Sequence, residues 1–265
     1  MTPFLTIIIC LAASVLGSIC GIGGGVIIKP VLDSIGTYPV DTVAFLSSCT
    51  VLAMSGYSVL KSCWERDGAL NWYTTTFLGI GSAAGGILGK YLFSQAILRL
   101  DSANSVGFVQ SALLLVITFG TILYTLKKAG IVTLHLHNWA ACSLVGLVLG
   151  VLSSFLGIGG GPINLVVLFY FFSMPTKIAA QNSLYIILLS QISSLLFTLC
   201  TGEVPSIPGL LLIGMMLAGI GGGILGRRLN RKLTPTLVDR LFLGMMVLIQ
   251  LICVYNLIRF AGVRL

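Results

Sequence analysis

Two five-residue glycine blocks carry the residue pattern best suited to chemistry in this chain. Gly21-Ile22-Gly23-Gly24-Gly25 recurs 136 residues later as Gly157-Ile158-Gly159-Gly160-Gly161, and each block is followed by a short apolar run, 25–36 and 161–172. Glycine costs roughly 1 kcal/mol per residue against alanine inside a helix, so four glycines in five residues should break one. The helix that restarts carries unpaired N–H groups and about half a positive charge from its aligned peptide dipoles. Such an end attracts an anion, and a backbone without Cβ lets a guest come close. The expected chemistry is anion binding by Gly23, Gly24 and Gly25 with Gly159, Gly160 and Gly161. Neither block is a nucleotide loop: G-x-x-x-x-G-K-[ST] is absent, and Gly21–Val26 lacks the last glycine of G-x-G-x-x-G.

Polar residues open the next run in each half: Ser47, Ser48 and Cys49, with Thr50, in the first, and Gln181, Asn182 and Ser183 in the second. Hydroxyl and amide donors suit an anion stripped of water; the competing use of such groups is hydrogen bonding between helices. Asn164 stands three residues after Gly161, and Lys29 four after Gly25. A lysine inside a membrane points to function, or else snorkels to the interface. Its repeat equivalent is Leu165, so a site using Lys29 is asymmetric. Asp33 and Asp41 are expected to face the loops. A third copy of the pentapeptide, Gly219–Gly223, lies in a small-xxx-small pattern with Gly226 and reads as helix contact. His135 and His137 sit in a polar linker. Without paired carboxylates, a Ser/His/Asp set or zinc-spaced Cys/His, no enzyme activity, metal or cofactor is expected.

The elements that must position these residues are transmembrane helices. Of 265 residues, 57% are hydrophobic and only 8% charged, against about 25% charged in soluble domains. Apolar runs fall near 4–20, 25–36, 40–60, 70–93, 103–126, 139–157, 161–172, 178–200, 207–226 and 237–260. Those at 25–36 and 161–172 are too short to span alone. The net charge of +8 sits at run ends, where it sets topology rather than marking a nucleic-acid partner. The uncharged start, Met1 to Cys10, reads as a retained first span. The second half repeats the first in register: Pro39 matches Pro175, Ser47 matches Ser183, and Gly85–Lys90 matches Gly222–Arg227 after a one-residue insertion. The expected organisation is all-α and polytopic. Residues 1–126 form a first repeat, 127–138 a cytoplasmic linker and 139–265 a second repeat. Placing the cluster Arg227, Arg228, Arg231 and Lys232 inside puts Lys61, Arg66, Lys127, Lys128 and Lys177 inside too and inverts the halves, at the cost of Lys90, Arg99, Arg259 and Arg264 outside. A parallel arrangement would instead put Lys61, Arg66, Lys127 and Lys128 outside.

At the two glycine motifs, with Pro30 and Pro162 behind them, the chain resembles the TauE/SafE sulfite exporter family. Lys177-Ile178-Ala179-Ala180-Gln181-Asn182-Ser183-Leu184, Gly68-Ala69-Leu70-Asn71-Trp72 and the Gly-x-x-x-Gly blocks also look familial. The resemblance covers nearly the whole chain. It implies a duplicated inner-membrane carrier for sulfite, a sulfonate or another small sulfur-containing or organic anion. Asn182 stands where that family usually has Thr, and Lys29 where an apolar residue is usual. The expected partners are a small anionic substrate and the lipid bilayer; a coupling proton or sodium ion and a homo-oligomer are left open. A cation or metal permease and a non-transporting assembly factor stay as alternatives.

Overall fold

A computed structural model describes residues 3–65, 70–99 and 103–262. Arg66, Gly68, Ala69 and Arg264, each singled out in the sequence, lie outside these. The described residues form ten α-helices and no strand: α1 (Pro3–Cys20), α2 (Gly25–Ile35), α3 (Val40–Glu65), α4 (Trp72–Arg99), α5 (Ala103–Lys127), α6 (Trp139–Leu156), α7 (Pro162–Phe172), α8 (Thr176–Cys200), α9 (Gly209–Lys232) and α10 (Pro235–Phe260). The order long–short–long–long–long occurs twice. α2 and α7 have 11 residues each, and α1 and α6 have 18 each.

Seven of the described helices are long and apolar enough to cross a membrane: α1, α3, α5, α6, α8, α9 and α10. α4 is as long, but its apolar content is diluted by Thr, Ser and Gly. The surface pattern is that of a chain in lipid. Val116, Phe119, Leu123 and Leu126 of α5, and Leu210, Ile213 and Leu217 of α9, are exposed at helical spacing. Meanwhile Thr6, Ser14, Ser47, Ser55, Ser58, Thr118 and Gln191 are buried. Hydrocarbon cannot satisfy a polar group, so polar side chains turn inward. Several hydroxyls are satisfied within their own helix, as where Thr50, Ser55 and Ser58 donate to the carbonyls of Leu46, Val51 and Met54.

Glycines set the closest helix contacts. Gly81, Gly85 and Gly89 of α4 lie against Ser143, Leu147 and Val151 of α6. In the second half's version, Gly222 and Gly226 of α9 meet Ser14, Val15 and Ser18 of α1. Backbone-to-backbone approach of this kind is how membrane helices gain dispersion energy without a hydrophobic driving force. The third pentapeptide is therefore a packing surface: Gly219 faces Thr50, and Gly223 faces Met54 and Ser58 of α3.

Each half packs chiefly on the other. α4 runs beside α6 and α8, while α1 and α3 run beside α9. In the pairs α4–α6 and α1–α9, contacting residues rise in number together, so the members are parallel. α3 and α8 behave oppositely: Phe45 meets Leu195, Val51 and Ile187 share a cluster, and Ser58 and Gln181 are joined through Arg227. These two helices cross antiparallel. So do α5 and α10, where Gly107 faces Phe260 and Lys128, one residue past α5, bridges to Asp239 at 2.6 Å.

Candidate substrate site

The two glycine blocks are turns, and they touch each other at the α3–α8 crossing. Gly21 and Gly157 have φ of 72° and 64°, and Gly23 and Gly159 have 76° and 70°. Equivalent positions thus share a left-handed backbone that residues with a Cβ adopt only under strain. The first turn is held by the Ile22 N–H donating to the Gly17 carbonyl at 3.0 Å. It folds back on α1, so that a methyl on Gly24 would lie 3.0 Å from the Ser14 Oγ. The second turn differs at its exit. Pro162 forces the preceding residue into an extended conformation, seen as φ −158° at Gly161, and Gly160 takes φ 144°. One consequence is chemical: α2 begins with the N–H of Gly25 and Val26, whereas α7 begins with a proline that has none.

The carbonyl of Ile158 abuts Gly25 at the start of α2, and a methyl on Gly160 would lie 3.4 Å from the equivalent Ile22 carbonyl. Each turn therefore presents its isoleucine carbonyl to the other. Val51 of α3 and Ile187 of α8 close over the junction: both lie beside Gly23, with Val51 also against Gly159 and Ile187 against Gly160. Residues 21–30 and 157–162 are buried throughout.

Around this junction lie buried polar atoms without a hydrogen-bond partner. Ser47 Oγ is next to Gly25, at 2.8 Å from where a Cβ would be. Ser183 Oγ and Asn164 Oδ1 are also unpartnered. An unpaired polar group in a low-dielectric interior costs roughly 1–3 kcal/mol, so their persistence suits groups kept for a guest. Ser14 Oγ, Ser153 Oγ and both amide atoms of Gln191 join the set. The sequence reading passed over these. Gln191 had a legible signal, because Ser183, Ile187 and Gln191 fall on one helical face at i, i+4 and i+8. Small cavities adjoin the region. One of about 10 Å³ lies between Ser153, Gly161, Pro162 and Asn164, and another of about 10 Å³ between Lys29, Asp33, Gln110 and Ser111. Each has the size of one water.

Other candidates lie elsewhere. Asn182 is clamped to α4: its Oδ1 accepts from the Asn71 N–H at 3.0 Å and from the Thr75 hydroxyl, and its Nδ2 donates to Ile178 O at 2.7 Å. Gln181 accepts from Arg227 at 3.2 Å, toward one end of the molecule. Cys49 packs with Phe45 and Leu195 on another face of α3. Ser48 is buried beside it in sequence. Lys29 does not snorkel. It is 2% exposed, its Nζ is 2.7 Å from Asp33 Oδ2, and its ε-carbon lies near Gly157. Asp33 correspondingly does not face a loop: it is 6% exposed, and Arg259 donates to its backbone carbonyl. Asp41 is half-buried and lines a cavity.

The family model for the sulfite exporter TauE/SafE matches residues 6–252. The chain belongs to the TauE/SafE family. It is a multi-pass membrane transporter and not an enzyme. The probable membrane transporter protein YunE of Bacillus subtilis is 24% identical over 261 residues, covering 90% of this chain and 92% of that protein. No solved structure matches. In this TauE/SafE chain both departures from the family pattern are engaged in structure, Asn182 with α4 and Lys29 with Asp33.

Proposed function

We propose that this transporter carries a small anion, with sulfite, a sulfonate or another sulfur-containing or small organic anion as the leading class. One observation carries the reading: glycine turns from the two halves meet in the interior, beside buried hydroxyl and amide groups that have no partner. An anion entering between the turns would find the N–H groups opening α2 and the hydroxyls of Ser47 and Ser183. Such donors, in a water-poor site, are worth about twice a neutral hydrogen bond. Gly23–Gly25, Gly159–Gly161 and Asn164 complete the proposed first contacts. Lys29, beside Gly157 and paired with Asp33, borders the site, while Gln181, Asn182, Ser48 and Cys49 act at one remove.

Residues 1–126 and 139–265 are the two repeats and 127–138 the linker. The halves are inverted in the inner (plasma) membrane, a reading supported by the antiparallel course of α3 against α8 and of α5 against α10. Transport follows by alternating access, one half rocking against the other around the turns. A cation permease would want uncompensated carboxylates at the turns, whereas Asp33 is paired with Lys29.

Counterflow in proteoliposomes tests the class. Liposomes loaded with unlabelled sulfite or sulfoacetate should accumulate the labelled anion, and rubidium- or manganese-loaded controls should not accumulate their cations. Cation accumulation without anion counterflow would overturn the reading. Adding a proton or sodium gradient then identifies the coupling ion.

A further inference from the structure

The repeat pairs two cations that the structure treats in opposite ways. Lys90 of α4 and Arg227 of α9 are equivalent, each directly after a Gly-Gly-Ile-Leu-Gly block. Arg227 is 6% exposed and holds several partners through its terminal nitrogens. It donates to Ser58 O at 3.0 Å and Gln181 Oε1 at 3.2 Å, and pairs with Glu65 at 3.1 Å. Arg231, one turn on, holds the same Glu65. Lys90 is half-buried in a cavity of about 320 Å³, where its Nζ lies 4.7 Å from the Phe93 ring centroid. Asp41 and Glu203 line that cavity too, yet among the described residues Lys90 makes no ion pair. Glu203 is held instead by Ser94, which occupies the repeat position of Arg231.

The two ends therefore hold repeat-equivalent cations in two arrangements. At one, a cation at position 227 and its neighbour at 231 grip a carboxylate. At the other, the neighbour at 94 keeps the carboxylate and leaves the cation at 90 free. Phe45, which lines the open cavity, is the repeat mate of Gln181, which is bound to Arg227 in the closed cluster. Phe45 also packs with Cys49 and Leu195 in an apolar cluster where α3 meets α8. A space of this size holds a small ligand rather than a single water.

Given the anion cargo proposed above, we infer that Lys90 and Arg227 are paired capture residues of two vestibules at opposite ends of the molecule, with the Lys90 vestibule open in this structure and the Arg227 vestibule latched by Glu65. An anion enters against the Lys90 ammonium, in the cavity that Phe45 and Phe93 also line. Rocking then lets Asp41 or Glu203 take Lys90, while Glu65 releases Arg227 at the other end. No bond is made or broken; each step exchanges one anionic partner of a cation for another.

Charge-selective thiol labelling reads this without requiring transport. In a Cys63→Ser/Cys200→Ser parent, Ile97→Cys places a thiol in the open vestibule and leaves the Ser94–Glu203 hydrogen bond in place. With Lys90 present, the ratio of modification by anionic methanethiosulfonate ethylsulfonate to modification by the cationic trimethylammonium reagent, each relative to its reaction with a free thiol, should be about threefold or more higher than in Lys90→Met. Methanesulfonate should slow labelling only where Lys90 is present. At the closed end Ser58→Cys should be unreactive until Glu65→Gln opens the latch. An unchanged ratio after Lys90→Met, slowing of Ile97→Cys labelling by methanesulfonate that is the same with and without Lys90, or a Ser58→Cys indifferent to Glu65→Gln would each overturn the inference. Failure of sulfite counterflow with these labelling results intact would count against the cargo and not against the vestibules.

Discussion

Lys29 and Asp33 form a charged pair almost wholly withdrawn from solvent, on a half-helix in the interior of a membrane protein. Removing one partner of a buried pair leaves a bare charge and costs about 3–5 kcal/mol, whereas replacing both by neutral groups of similar shape is close to neutral. Lys29→Met and Asp33→Asn should therefore each lower the melting temperature in detergent, and the double variant should recover most of the loss. A thermal-shift double-mutant cycle checks this; additive losses would mean that the pair is not coupled. Lys29 stood out in the sequence because intramembrane charge is rare. Its partner at i+4 is expected from sequence to face a loop, because Asp33 sits where the short apolar run fades toward Gly36; the structure buries it against Lys29 instead. Asn182 shows a similar limit. Its polarity was legible, but its use depends on Asn71 and Thr75, more than a hundred residues away.

At the scale of elements, glycine spacing decides which helices approach backbone to backbone. Gly85 of α4 rests on the Leu147 carbonyl of α6, and Gly222 of α9 on Ser14 of α1. Valine at either position must push the helices apart, at a cost of the order of 3 kcal/mol or more by analogy with overpacked cores. Gly85→Val and Gly222→Val should sharply reduce the monodisperse yield in size-exclusion chromatography. Gly120→Ala, where nothing lies within 4 Å, should leave it unchanged or improved. Helix extents were legible because each is a long apolar run ended by charge, glycine or proline. The start of α2 at Gly25 and of α7 at Pro162 followed from the glycine blocks themselves. The apolar run fades near 93, whereas α4 continues to Arg99, with Lys90 and Ser94 lining a cavity on the way.

For the whole molecule, the duplication was legible from matched glycines and prolines in one register, but the exchange of partners between halves was not. No local pattern tells α4 to pack on α6 and α8 instead of on its own repeat. That choice comes from which glycine faces fit together. Inversion makes a prediction that needs no engineered residue. Cys63 and Cys200 are exposed and stand near the ends of the equivalent helices α3 and α8. In intact cells an impermeant maleimide should label Cys200 and spare Cys63 until the membrane is opened. Labelling of both from one side would leave the halves parallel. Transport requires a guest to pass between the two glycine turns, and Gly23 is where that can be probed with least disturbance. A methyl there would meet Val51 and Ile187 at 3.5 and 3.6 Å, ordinary contact distances, while the left-handed backbone adds about 1–2 kcal/mol of strain. Sulfite counterflow by Gly23→Ala, measured in proteoliposomes beside wild type and Gly120→Ala at equal inserted protein, is the most direct measurement. The prediction is loss of at least tenfold in Gly23→Ala with Gly120→Ala at the wild-type rate; a Gly23→Ala protein that exchanges sulfite as fast as wild type would contradict the account.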